Sequence, residues 1–140
     1  MEIKVKKNAL DVELYSRIRK TAGFLSYSDN DIVDALKNTL YSVVVYLDDK
    51  AVGIARIVGD NKIAFFIKDV VVIPEAQHMG IGDVIMKNIF EYLSKNAAEN
   101  AYVGLMSTPG KERFYKKYGF IERPTNALGS GMVMFYDKKE

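Results

Sequence analysis

Asp69-Val70-Val71-Val72-Ile73-Pro74-Glu75-Ala76-Gln77-His78-Met79-Gly80-Ile81-Gly82 is the stretch on which the fold turns. Its first half is an apolar, β-branched run that reads as a strand, closed by Pro74, which has no N–H to give to a ladder. Beyond it, Ile81, Val84, Ile85, Ile89, Tyr92 and Leu93 fall on one stripe, so a helix of about four turns starts at the glycines. The first N–H groups of a helix lack intrahelical partners, and the helix dipole adds partial positive charge there. Gly80 and Gly82 carry no side chain and let an anion approach that backbone closely. The loop therefore reads as an anion cradle able to hold a pyrophosphate, although a strand-to-helix turn can need glycines for structure alone.

Two other phosphate loops do not fit. A Walker loop requires G-x-x-x-x-G-K-[ST], whereas Gly110-Lys111 is followed by Glu112 and has no glycine five residues upstream. A dinucleotide fingerprint requires a third glycine where Ile85 stands.

Working outward, Tyr41 to Leu47, Val52 to Val58 and Ile63 to Ile73 are rich in β-branched and aromatic residues. The turn residues Asp48-Asp49-Lys50 and Gly59-Asp60-Asn61 separate them, which predicts an antiparallel three-strand meander. Residues 2 to 6 alternate as a short first strand. Val12, Tyr15 and Ile18 mark a helix over 11–22, and Ser28-x-x-Asp31 caps a second helix carrying Ile32, Val33, Leu36 and Leu40. Downstream, Ala101 to Met106 reads as a strand parallel to the one before the glycine loop, by a right-handed crossover. Thr108 as N-cap, Pro109 at the first helical position and Gly119 as a stop predict a helix near 110–118, and Met132 to Tyr136 reads as a final strand. No repeat or linker divides the chain.

The pattern Gln77-x-x-Gly80-x-Gly82, preceded by Val70-Val71-Val72-Ile73-Pro74-Glu75, resembles the acyl-CoA loop of the GNAT superfamily of N-acetyltransferases, [QR]-x-x-G-x-[GA] after a strand. Phe114-Tyr115-Lys116-Lys117-Tyr118-Gly119-Phe120 matches a second family element, F-Y-x-x-x-G-F, in the right order and spacing. The resemblance spans roughly residues 42 to 136. It implies an α+β fold, a mostly antiparallel twisted sheet of six to seven strands flanked by about four helices, in a single domain over 1–140. It also implies acetyl-CoA as cosubstrate. Carried over, the pyrophosphate cradle is Gln77, His78, Met79, Gly80, Ile81, Gly82 and Asp83, and the pantetheine arm lies along Val70, Val71, Val72 and Ile73. His78 and Met79 depart from the Gly, Lys or Arg common there, but the backbone supplies most of the binding. Lys111, Lys116 and Lys117 are either phosphate partners or a solvated helix face.

Tyr115 is the leading catalytic candidate. Attack of an amine on a thioester expels a thiolate, and a phenol with an unperturbed pKa near 10 is a suitable proton donor to it. In the family the matching Tyr is often the general acid; packing alone is the alternative. Asp69, just before the pantetheine segment, is a candidate base if its surroundings raise its pKa, or else a structural or substrate-orienting carboxylate. His78 is the lone histidine but lies inside the phosphate loop. The resemblance places Thr108 where the family often has a pantetheine-contacting Asn, and Phe114 beside the cofactor or in the core. The acceptor pocket is expected to draw on residues 23–27, Arg56 and the Thr125-to-Gly131 segment, with a small primary amine favoured.

The 140 residues, 49% hydrophobic and 27% charged, are those of an ordinary globular protein. Twenty basic against eighteen acidic residues leave a net charge of +2, which gives little electrostatic support to a nucleic-acid binder. The absence of cysteine removes disulfides, thiolate metal sites and a cysteine nucleophile; the GNAT resemblance carries no expectation of a metal. Neither an apolar leader nor a membrane-length run is visible, and a cytoplasmic, non-membrane protein is expected. The GNAT resemblance implies an acyl-CoA-dependent N-acyltransferase, with acetyl-CoA favoured as donor, acting by direct transfer in a ternary complex. The alternative is a catalytically silent CoA-binding sensor or interaction module of the same fold. The resemblance leaves a homodimer open.

Overall fold

The first strand and two helices form as their caps dictate. β1 (Ile3–Lys7) is a lysine-rich strand in which only Val5 is half-buried, suited to a sheet edge. In α1 (Val12–Thr21) the Asp11 side chain accepts from Leu14 N at 2.9 Å, and in α2 (Asp29–Lys37) Ser28 Oγ accepts from Asp31 N at 3.2 Å. β2 (Tyr41–Leu47), β3 (Lys50–Gly59) and β4 (Ala64–Val72) make the meander. The β3–β4 turn is tied by Asp60 Oδ1, which accepts from the N–H groups of Lys62, Ile63 and Ala64 at 2.8–3.0 Å. A single 3-10 turn over Pro74–Ala76 then leads to α3 (Ile81–Asn96), the β5 strand (Tyr102–Leu105) and the short α4 (Glu112–Lys116).

The computed structural model describes residues 1–138. They fall into two compact units, Met1–Leu105 and a C-terminal unit beginning at Met106. The first holds one five-stranded sheet in the order β1-β2-β3-β4-β5, antiparallel except for the parallel β4–β5 pair. The α+β class stands as expected, with five strands among the described residues where six to seven were anticipated. The shortfall lies in the C-terminal unit. Met132 to Tyr136, expected as a strand, pairs with no ladder, and its side chains are 71–89% exposed. β-propensity describes side chains that fit a half-buried sheet and forms no ladder by itself.

Helices cover both faces of the sheet. Gly53 on β3 faces Ile81 and Ile85 of α3, while Arg56, an odd number of residues on, faces α1. The core is largely branched aliphatic: Ile18, Ile32, Val43, Val45, Ile54, Ile57, Ile85 and Ile89 are at most 2% exposed. Such stiff side chains pack to crystal-like density and leave little room for the helices to slide.

Candidate acyl-CoA site

The cradle is built by the local geometry of the glycine loop. Gly80 caps α3 with φ +81°, ψ +7°, a left-handed conformation that glycine adopts without steric cost. A Cβ built on Gly80 meets nothing within 4 Å, so the space above the loop is open. No side chain caps the helix; Val84 N donates to Gly80 O at 3.2 Å as the first bond of the ladder. Gln77, His78 and Met79 are exposed, His78 has φ +64°, and the Gln77 side chain turns back, Nε2 donating to Val72 O at 3.2 Å. The helix start is fixed from below: a Cβ at Gly53 would stand 2.9 Å from Ile81 Cγ2, 3.1 Å from Ile85 Cδ1 and 3.4 Å from Val71 O. Only glycine lets β3 and α3 approach so closely, a role that no local pattern around Gly53 signals.

The strand feeding this loop has an open edge. β4 pairs with β5 from Ala64↔Tyr102 to Ile67↔Leu105, where the ladder ends, and among the described residues Lys68–Val72 continue without a strand on that side. On the other side, Ile73 N donates to Val52 O at 2.9 Å. Peptide groups alternate along a strand, so those of Val70 and Val72 face the open edge, as the Gln77 bond to Val72 O agrees. An extended, amide-bearing ligand can run along this edge, where Val72 O already accepts from Gln77 Nε2, and lead straight to the cradle.

A bulge separates the paired from the open part. Between Arg56↔Lys68 and Ile54↔Val71, β3 has Ala55 alone whereas β4 has both Asp69 and Val70. Asp69 carries φ +57° and is 8% exposed. Its Oδ1 accepts from Arg19 Nε at 2.8 Å, and its Oδ2 from Arg56 Nε and the Tyr15 hydroxyl, each at 2.8 Å. Burial opposes the charge, but the hydrogen bonds from Arg56 and Tyr15 and the two guanidinium charges prevail, holding the carboxyl below its ordinary 3.8. Tyr15 is pushed up to about 12 by burial and by the Asp69 carboxylate. An aspartate with both oxygens engaged and a depressed pKa is a poor proton acceptor. The raised pKa on which Asp69 would depend as a base is not what the site provides: the carboxylate is gripped by three donors and lowered.

In the C-terminal unit, α4 begins at Glu112 with Lys111 as its N-cap, three residues or so later than Thr108-Pro109 suggested; Thr108 O instead accepts from Lys111 N at 3.2 Å in a turn. Thr108 is exposed and Phe114 half-buried. Phe114 meets Tyr115 edge-on at 5.2 Å and Tyr118 at 5.4 Å, and Tyr115 meets Phe120 at 6.2 Å, a small aromatic cluster. Burial pushes the Tyr115 hydroxyl up to about 12, so it carries its proton throughout the neutral range. Lys116 pairs with Glu122 at 2.6 Å and Lys117 lies 5.0 Å over the Phe114 ring, which accounts for two of the three lysines without a phosphate.

Among known proteins, a family model described as an acetyltransferase (GNAT) domain matches residues 11–136. The chain belongs to the GNAT acetyltransferase family. It is 36% identical over 101 residues to the uncharacterized N-acetyltransferase ycf52 of Pyropia yezoensis, covering 68% of this chain and 56% of that one. It is 28% identical over 138 residues to the chloroplastic serotonin N-acetyltransferase 2 of Oryza sativa, covering 94% and 65%. The chain thus spans less than two thirds of the length of either relative. Among solved structures it is similar to the probable acetyltransferase SA2161 of Staphylococcus aureus, with TM-score 0.86, 30% identity, and coverage of 96% and 100%. The GNAT protein SP0256 of Streptococcus pneumoniae shares the fold at TM-score 0.79 and 23% identity, with coverage of 98% and 100%. No helix among the described residues is long and apolar enough to cross a membrane.

Proposed function

We propose that this GNAT chain transfers an acetyl group from acetyl-CoA directly to a primary amine. The observation that carries the reading is the continuous run from the open edge of β4 into the left-handed Gly80 cap of α3, extended backbone groups followed by a glycine cradle. The two halves suit the two halves of CoA. Val70 to Val72 offer peptide groups to the amides of the pantetheine arm, and the loop from Gln77 to Asp83 offers helix N-terminal N–H groups to the pyrophosphate. The bound thioester supplies the acyl group. A peptide N–H at the open edge is suited to polarise its carbonyl, since fixed donors act where negative charge develops.

Tyr115 supplies the proton that the departing thiolate takes up. With its hydroxyl at about 12 it is a donor over the whole neutral range and is not lost to ionisation there. Asp69 enters this reading as an anchor, and the acceptor ammonium loses its proton to solvent. A small amine is favoured by the aromatic side chains of Phe24 and Tyr27, which the fold gathers around Arg19 at 5.4 and 5.3 Å, and by likeness to an enzyme named for serotonin acetylation. Calorimetric titration with acetyl-CoA tests the donor: saturable one-to-one binding is expected, and no binding at about 1 mM, the upper end of ordinary substrate affinities, overturns the proposal.

A further inference from the structure

We infer that Tyr15, Arg19, Arg56 and Asp69 form a buried clamp that sets the open edge of β4 for the pantetheine arm, which makes them positioning residues for acyl-CoA; this rests on the function proposed above. Three donors from two elements, α1 and β3, converge at 2.8 Å on one carboxylate at the bulge. The backbone they hold is the residue that most needs holding. Asp69 sits at φ +57°, in the left-handed region that strand residues rarely adopt, and such geometry persists only where surroundings enforce it. Val70, the first residue with peptide groups toward the open edge, follows directly. A change in the bulge therefore re-aims every ligand-facing group after it, because a one-residue slip reverses the direction of each.

The clamp is tied at its far ends too. Arg19 Nη1 donates to Leu25 O at 2.8 Å, and the Arg19 guanidinium lies 5.0–5.4 Å from the rings of Tyr15, Phe24 and Tyr27. Arg56 Nη1 donates to Thr39 Oγ1 at 3.2 Å. Both arginines are under 9% exposed. Two buried guanidiniums on one carboxylate are an expensive way to fill a core, since apolar side chains of the same volume commonly serve stability as well or better. What a rigid, multiply hydrogen-bonded charge network adds is a defined position for the strand it grips.

The test separates the two halves of the ligand. CoA and 3′-phospho-ADP, its nucleotide half without the pantetheine arm, are titrated by calorimetry or displacement into the native chain, Asp69→Asn and Tyr15→Phe. Asparagine tolerates the left-handed backbone but removes the charge; phenylalanine keeps the ring and removes one hydrogen bond. The clamp predicts at least tenfold weaker CoA binding for Asp69→Asn and about threefold for Tyr15→Phe, with 3′-phospho-ADP within twofold of native in both. Equal weakening of both ligands, or no weakening of either, overturns the inference. If Asp69→Asn does not fold, Tyr15→Phe decides on the same criterion. A native chain that binds neither ligand overturns the proposed function itself, whereas native binding of CoA with unchanged variants overturns only the clamp.

Discussion

Replacing Gly53 by alanine tests whether the helix start, and with it the cradle, is fixed by close packing. The new Cβ would stand 2.9 Å from Ile81 Cγ2 and 3.1 Å from Ile85 Cδ1. Carbon atoms rest about 3.5–4.0 Å apart, so the first contact must lengthen by at least about 0.6 Å. The Ile85 Cδ1 atom is the far end of a side chain and can swing away. The Ile81 Cγ2 atom is a branch methyl on a stiff χ1, so relief comes mainly from a shift of the first turn of α3, next to Gly80. Overpacking of this kind costs about 1–3 kcal/mol, and burial of the added methyl returns about 0.8 kcal/mol. The net, about 0.2–2 kcal/mol, corresponds to a fall of up to about 8 °C in melting temperature for a domain of this size. The displaced N–H groups lie farther from a bound pyrophosphate, and CoA binding weakens several-fold, tenfold for each 1.4 kcal/mol or so lost. Scanning calorimetry and CoA titration on the same sample read both effects. A variant with unchanged melting temperature and unchanged CoA affinity refutes the packing argument; a lower melting temperature with unchanged affinity refutes the link from packing to cradle.

Tyr115→Phe should lower kcat by about 100-fold or more with CoA affinity unchanged, as removal of a proton donor does, and an unchanged kcat removes Tyr115 from the mechanism. Stability should depend on pH through Asp69. Its folded pKa lies below the ordinary 3.8, so its contribution is complete above that value and is lost as pH falls through the lower, folded one. The melting-temperature gap between native and Asp69→Asn should therefore hold steady over about pH 5–8 and narrow below about pH 4; a gap that widens on acidification contradicts the ion-pair account.

What could be read from the chain was what is local. The Gly80 cap, the meander turns at Asp48 and Asp60, and the Ser28 cap each depend on residues within a few positions, and the structure has them as the spacing predicts. The Asp69 network could not be read, because its partners stand 54, 50 and 13 residues away and only the folded sheet and α1 bring them together. A strand residue at φ +57° also leaves no periodic mark, since the run Val70-Val71-Val72-Ile73 looks the same with or without a bulge before it. Gly53 was silent for the same reason: its neighbours Ile81 and Ile85 belong to another element. Tertiary context overrides local pattern at two places. Thr108-Pro109 looks like a helix start but forms a turn ahead of Lys111, and Met132 to Tyr136 has strand composition but no ladder.

Acyl transfer by this chain is measured most directly by thiol release. Acetyl-CoA is incubated with the chain and a panel of arylalkylamines, polyamines, aminoglycosides and peptides, and free CoA thiol is followed together with acetylated product. The account predicts thiol release that requires an amine, matches product one to one, is strongest with a small primary amine, and falls in Tyr115→Phe. Binding of acetyl-CoA with no amine-dependent thiol release from any member of the panel contradicts it and leaves a silent CoA-binding module of the same fold.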